Sequence, residues 1–124
     1  LDDGFGEQSV LAGTPFYMAP EQIEGGEVSH KADIYALGVI LYRMFAGVLP
    51  FTEGNIFVAH ALKPVPNPLD HNPAIPNKIV ETILRCLEKK PDDRYDNCGR
   101  ISLEIKNALF ENVISGPSKA AAPE

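Results

Sequence analysis

Residues 34–49 carry one charge, Arg43, among sixteen positions, and the rest of that stretch is apolar or small. Apolar side chains around nearly the whole circumference predict a helix enclosed by protein on every side. The stretch falls short of the about 18–20 residues a membrane span requires, and the arginine argues further against one. Ser29 is placed to cap its start, and Gly47 with Pro50 to stop it. Three further helices are predicted over 53–62, 76–89 and 97–112, with Pro76 suited to a first helical position. Ile79, Val80, Ile83, Cys86 and Leu87 form one apolar stripe, and Ile101, Ile105, Ala108 and Leu109 form another. Each stripe is one-sided and covers only part of the central helix, whose Tyr35, Leu37 and Leu41 are expected in the core. The pattern therefore requires a packing partner that these residues do not include.

Between the helices the punctuation is clear. Residues 1–8 are acidic and glycine-rich and predict a flexible loop. Ala19 precedes a proline and is pushed out of the helical region, so a short helical turn should begin at Pro20 and end at Gly25-Gly26. Pro64, Pro66, Pro68, Pro73 and Pro76 make residues 63–76 a stiff, ordered connector without helix. Within it Pro73-Ala74-Ile75-Pro76 formally fits a PxxP ligand, although a connector between helices already explains the prolines. Residues 115–124 are small, polar and rich in Pro and Ala, and predict a disordered linker. The fold class is all-α.

Composition narrows the functions more than it names them. The chain has 124 residues and a net charge of -6. It has no basic stripe to neutralise phosphates, so nucleic acid is not an expected partner. Cys86 and Cys98 form no CxxC pair, and two reduced, partly buried thiols are expected; a disulfide or a metal site is the minor alternative. His30, His60 and His71 lack metal-ligand spacing and are expected at the surface or half-buried. No metal site is expected. The absence of a first methionine and of a signal peptide suggests an internal piece of a longer cytoplasmic protein, whose membrane anchor, if it has one, lies outside this chain.

Three motifs stand in order: Gly13-Thr14-Pro15-Phe16-Tyr17-Met18-Ala19-Pro20-Glu21, then Lys31-Ala32-Asp33-Ile34-Tyr35-Ala36-Leu37-Gly38, then Cys86-Leu87-Glu88-Lys89-Lys90-Pro91-Asp92-Asp93-Arg94. Together they resemble the C-terminal half of the large, helical lobe of serine/threonine protein kinases, in wording most similar to the bacterial branch. The resemblance implies part of an activation loop at 1–10, the C-terminal part of a kinase domain at 11–112, and a linker at 113–124. It implies that Gly13, Thr14 and Pro15 face the substrate hydroxyl, and that Phe16, Tyr17, Met18 and Ala19 receive the residue after the phosphoacceptor. In the family the threonine also supports the catalytic loop; the simpler reading of Thr14 is a turn hydroxyl.

The resemblance also implies structural roles. Pro20 ends the activation segment. Glu21 and Arg94 match a buried ion pair, where sequence distance alone would suggest two unrelated surface charges. Asp33 matches the aspartate that holds the catalytic loop's backbone N–H groups, and it is equally a helix-start carboxylate favoured by the dipole. Ser9 is the candidate phosphosite, although Val10 occupies the position more commonly modified.

Phosphoryl transfer needs a nucleotide cradle, a lysine on the phosphates, metal-binding carboxylates and an aspartate beside the attacking hydroxyl. None of the corresponding motifs is present, and Asp3-Gly4-Phe5-Gly6 is only a near miss. The expectation is thus a fragment. Its parent would transfer the γ-phosphate of ATP, with Mg²⁺, to Ser or Thr of protein substrates, while this chain alone binds neither ATP nor metal and is inactive. Its partners would be protein substrates and the remainder of the kinase domain. The alternative is a pseudokinase-type binding or scaffold module.

Overall fold

The computed structural model describes residues 15–115, and every regular element among them is helical. A 3-10 turn at Pro15–Tyr17 leads into α1 (Pro20–Glu24) and the long α2 (Lys31–Ala46). After these come α3 (Ile56–Leu62), α4 (Asn77–Cys86) and α5 (Cys98–Ser115), with further 3-10 turns at Pro68–Asp70 and Pro91–Asp93. The hub is α2, against which α4 and all three 3-10 turns pack; α5 lies on α4, and α1 lies against α3. Ser9, Gly13 and Thr14 fall outside the described residues, as does the tail from residue 116.

Element ends follow local chemistry. Gly25 sits at φ 78° and closes α1, and Gly47 at φ 85° closes α2, each in the left-handed region that suits glycine. The α2 cap falls on His30, one residue later than expected, yet the Ser29 hydroxyl still accepts the Lys31 N–H at 3.1 Å. Helix α3 begins at Ile56 and not at 53, because Gly54 turns the chain at φ 71° and Asn55 caps the helix by accepting the Val58 N–H at 3.2 Å. Pro76 is the cap of α4 with an extended ψ of 142°, not its first helical residue, and the helix ends at Cys86, short of 89. Helix α5 starts behind Asn97, whose side chain accepts the Arg100 N–H at 2.9 Å, and it runs to Ser115, past the expected end at 112. The connector was expected without helix. It holds one 3-10 turn at Pro68–Asp70, where proline's missing N–H costs nothing and Asn67 accepts the Leu69 N–H at 2.9 Å.

Ile34, Tyr35, Val39 and Tyr42 of α2 meet Ile79, Ile83, Cys86 and Leu87 in a continuous core completed by Ile101 and Ala108. Burying one such large side chain stabilises the fold by about 1.5–3 kcal/mol relative to leaving it in water. The two central helices approach closely at Gly38, where a Cβ would lie 2.6 Å from the Cβ of Cys86 and 3.0 Å from Leu87 Cδ2. Polar bonds tie the connector to the hub. The Tyr42 hydroxyl donates to the Pro66 carbonyl at 2.9 Å, and Asn72 Nδ2 donates to the Phe45 carbonyl at 2.8 Å.

The described elements cover α2 from one side only, as the one-sided stripes implied: Ile40 is 45% exposed and Met44, one turn on, is 68% exposed. Two other burial expectations are corrected. Leu109 leaves the α5 stripe and is 42% exposed, while Ile101 and Ala108 are buried and Ile105 partly so. Cys86 is fully buried and Cys98 exposed, both as free thiols. Burial pushes the Cys86 thiol up to about 12, a further push coming from Cys98 against the opposing Arg85 and Arg94 charges, so it is an inert packing group.

Candidate functional site

Residues 15–19 form a half-buried ledge beside α2. Pro15, Phe16, Tyr17 and Met18 are partly exposed, whereas Ala19 is buried. Ala19 takes an extended conformation, φ -77° and ψ 153°, as a residue before proline must, and this bends the ledge into α1. Its N–H is accepted by Gln22 Oε1 at 2.8 Å, which satisfies a donor the turn would otherwise strand. From below, Arg43 of α2 donates to the Tyr17 hydroxyl at 3.1 Å.

The ledge is fastened to the rest of the molecule by one guanidinium. Arg94 Nη1 and Nη2 donate to the two carboxylate oxygens of Glu21, each at 2.8 Å. Nε donates to the Glu88 carbonyl at 2.8 Å, and the remaining two hydrogens go to the carbonyls of Lys31 at 2.8 Å and Lys89 at 3.1 Å. Arg94 is 1% exposed, and its charged plane lies 5.0 Å from the centre of the Tyr35 ring. Burial raises the Glu21 carboxyl, but the Arg94 hydrogen bonds, a bond from its own backbone N–H and the guanidinium charge outweigh it. The group is held below the usual carboxylate range. Around this clasp, Lys31 Nζ donates to the Pro91 carbonyl at 3.2 Å, and His30 Nε2 donates to the Asp96 carbonyl at 2.6 Å.

A second group was missed. His60 was expected at the surface or half-buried and is 0% exposed. It lies on α3 between Tyr35 and Phe51, edge-on to both rings, with its Nδ1 2.7 Å from the Tyr35 hydroxyl oxygen. Its Nε2 is buried without a hydrogen-bond partner among the described residues. Its helix packs against the Pro15–Tyr17 turn, and the backbone of Phe16 and Pro15 pulls the imidazole pKa upward. Burial, with help from the Lys89 charge, pushes the imidazole down to about 4 against that pull. Lys89 itself is lowered to about 8, by burial and then by Arg94, and stands 5.0 Å over the Phe51 ring. The one signal available in the chain was the Ile56, Ala59, His60 spacing of a helix's inner face, which the more apolar Phe57, Val58 and Leu62 obscured.

Asp33 is exposed in the first turn of α2 and lies on the same open stripe as Ile40 and Met44. Pro20 is buried at the first position of α1.

A family model described as the protein kinase domain matches residues 4–106. The chain belongs to the serine/threonine protein kinase family. It is 44% identical over 107 residues to the serine/threonine-protein kinase Pkn1 of Myxococcus xanthus, covering 84% of this chain and 15% of that kinase. Over 88 residues it is 44% identical to the DNA damage-responsive serine/threonine-protein kinase RqkA of Deinococcus radiodurans, covering 68% of this chain and 13% of that protein. It is 37% identical over 105 residues to the serine/threonine-protein kinase PrkC of Bacillus subtilis, covering 82% of this chain and 16% of that kinase. The chain thus spans a small part of the length of the curated kinases it matches.

Protein kinases of this family work with ATP and Mg²⁺. Among the described residues no three His, Cys, Asp or Glu side chains gather where they could hold a metal ion. The glycine-rich loop, strand lysine and metal-binding carboxylate motifs are absent from the sequence. No helix among the described residues is long and apolar enough to cross a membrane.

Proposed function

We propose that residues 13–19 are the ledge on which a protein substrate docks in a parent serine/threonine kinase. Gly13, Thr14 and Pro15 would face the phosphoacceptor hydroxyl, and residues 16–19 would take the next residue of the substrate. The observation that carries this reading is the Glu21–Arg94 clasp. It fastens the end of the ledge to the helical core through five donated hydrogen bonds, leaving Pro15, Phe16, Tyr17 and Met18 half-open. A rigid scaffold carrying a partly exposed segment is what positioning a peptide requires.

The parent would transfer the γ-phosphate of ATP, held with Mg²⁺ by residues outside this chain, to serine or threonine. Residues 1–10 would belong to its activation loop, with Ser9 as a phosphosite, and 11–112 to its large lobe, with 113–124 leading away as a linker. The remainder of the kinase domain would pack on the open side of α2, over Ile40 and Met44, and meet Asp33 there. This cover explains why apolar side chains stand in water along the hub of an otherwise well-packed core.

The test uses the kinase that contains these residues and a set of peptides differing only at the acceptor. Transfer from γ-labelled ATP to serine and threonine, but not to tyrosine, is the expected result. It should be joined by a raised peptide KM in Phe16→Ala and Met18→Ala. A folded protein that binds partners yet transfers no phosphate would replace this reading with a scaffold module.

A further inference from the structure

The Tyr35 hydroxyl and His60 Nδ1 are 2.7 Å apart in the interior, and hydrogen-bond accounting decides which of them donates. Were Nδ1–H the donor, the buried Tyr35 hydrogen would have no acceptor among the described residues. With Tyr35 donating, Nδ1 accepts and the neutral imidazole carries its hydrogen on Nε2. Among the described residues one buried side-chain group is then left over: an unpartnered Nε2–H, on a helix that packs against the Pro15–Tyr17 turn. Tyr35 keeps its proton at all ordinary pH, because burial pushes the phenol far up, so it has a hydrogen to donate to Nδ1. A buried donor left unmade is costly, and the fold retains it on the helix that packs against the turn proposed to receive substrate.

We propose that His60 is a positioning residue for the docking ledge: its Nε2–H is held ready for the carbonyl of Pro15 or Phe16 and closes on it when a substrate peptide presses the ledge inward. The idea rests on the docking role given to residues 13–19. It links three elements in one line, from Tyr35 on α2 through His60 on α3 to the turn at Pro15–Tyr17. Binding energy from the peptide is then met by a hydrogen bond that the free protein lacks, so the bond favours the occupied ledge specifically. One net hydrogen bond of about 1 kcal/mol corresponds to about a fivefold change in peptide affinity.

The experiment uses the kinase containing this chain, assayed for peptide KM, ATP KM, kcat and melting temperature. The double variant Tyr35→Phe/His60→Phe removes both polar partners and keeps two aromatic rings in place. It should fold, retain its ATP KM and kcat, and raise the peptide KM about fivefold. His60→Gln, whose amide nitrogen reaches the place of Nε2, should bring the peptide KM back to within about twofold of the wild type. A normally melting double variant with unchanged peptide KM overturns the proposal, as does failure of His60→Gln to rescue. If the double variant does not fold, the wild-type His60 Nε2–H resonance decides. A clear downfield shift on adding peptide supports the bond, and no shift overturns it. Phe16→Ala and Met18→Ala separate the two ideas. If they leave peptide KM unchanged, the docking reading fails and this inference with it; if they raise it while the His60 variants do not, only the inference fails.

Discussion

Arg94 has five N–H hydrogens, and all five are donated: two to the Glu21 carboxylate and one each to the carbonyls of Lys31, Glu88 and Lys89. Such completeness is what allows a charge to remain 1% exposed. Arg94→Ala would strand a buried carboxylate and three carbonyls, and should cost about 3–5 kcal/mol in denaturant unfolding. Arg94→Lys should recover little of that, since an ammonium offers three donors from a point and no planar fork. A loss below about 1 kcal/mol in the alanine variant would contradict the role given to the clasp. His60 supplies a second residue-scale outcome. Burial lowers its folded value to about 4, with the Lys89 charge aiding and only the Phe16 and Pro15 backbone opposing; Tyr35, the other titratable neighbour, stays neutral. Between that value and the unfolded value of about 6.5, the unfolded chain binds more protons, so stability should rise with pH by up to about 1.4 kcal/mol per unit. Glu21 works in the same direction lower down: its contribution is present above the unfolded value of about 4.3 and fades as pH falls through its lowered folded one. Urea midpoints measured from about pH 2.5 to pH 7 check both, and His60→Phe should flatten the upper part of the curve.

At the scale of elements, the α2–α4 contact is set by the absence of a side chain. Alanine at position 38 would gain about 1 kcal/mol of helix propensity. It would also place a methyl 2.6 Å from the Cβ of Cys86, an atom fixed to backbone that no rotamer change can move. Overpacking of this kind costs about 1–3 kcal/mol, so Gly38→Ala should lower the melting temperature; an increase would show that the helices have room to separate. Elements were also where the chain's own pattern was most legible. The five residues of the α4 stripe are all buried, and Gly25 and Gly47 stop their helices in the left-handed conformation as their positions suggested. The starts were less legible. Asn55 and Asn97 each shifted a helix start by taking a cap, and a cap is decided by which side chain reaches a free N–H, not by hydrophobic spacing.

At the scale of the whole molecule, the dominant feature is the open side of α2. Ile40 and Met44 are one helical turn apart and largely in water, a cost that only a covering partner removes. The 124-residue chain by itself should therefore self-associate. Light scattering on the isolated chain should show species larger than the monomer, and Ile40→Glu with Met44→Glu should shift it towards a monomer. A chain that is already monodisperse and melts sharply without these changes would mean that the stripe needs no cover. The same substitutions in the complete kinase should be destabilising, since the charges would then be buried beneath its remaining part.

The amino-acid order alone determined the helical class, the apolar hub, the proline connector and the motif succession that points to the kinase family, because these depend on neighbours within a few positions. That Glu21 and Arg94 meet was implied by the family resemblance alone, against what sequence distance suggests, and the depth of His60 was misjudged. Both are questions of which distant backbone arrives beside a side chain. Tertiary packing answered them by laying the 88–94 segment across the start of α2 and pressing α3 under the ledge. A polar group in either place is tolerated only when its hydrogen bonds are supplied from outside its own element, and periodicity along one element holds no record of that.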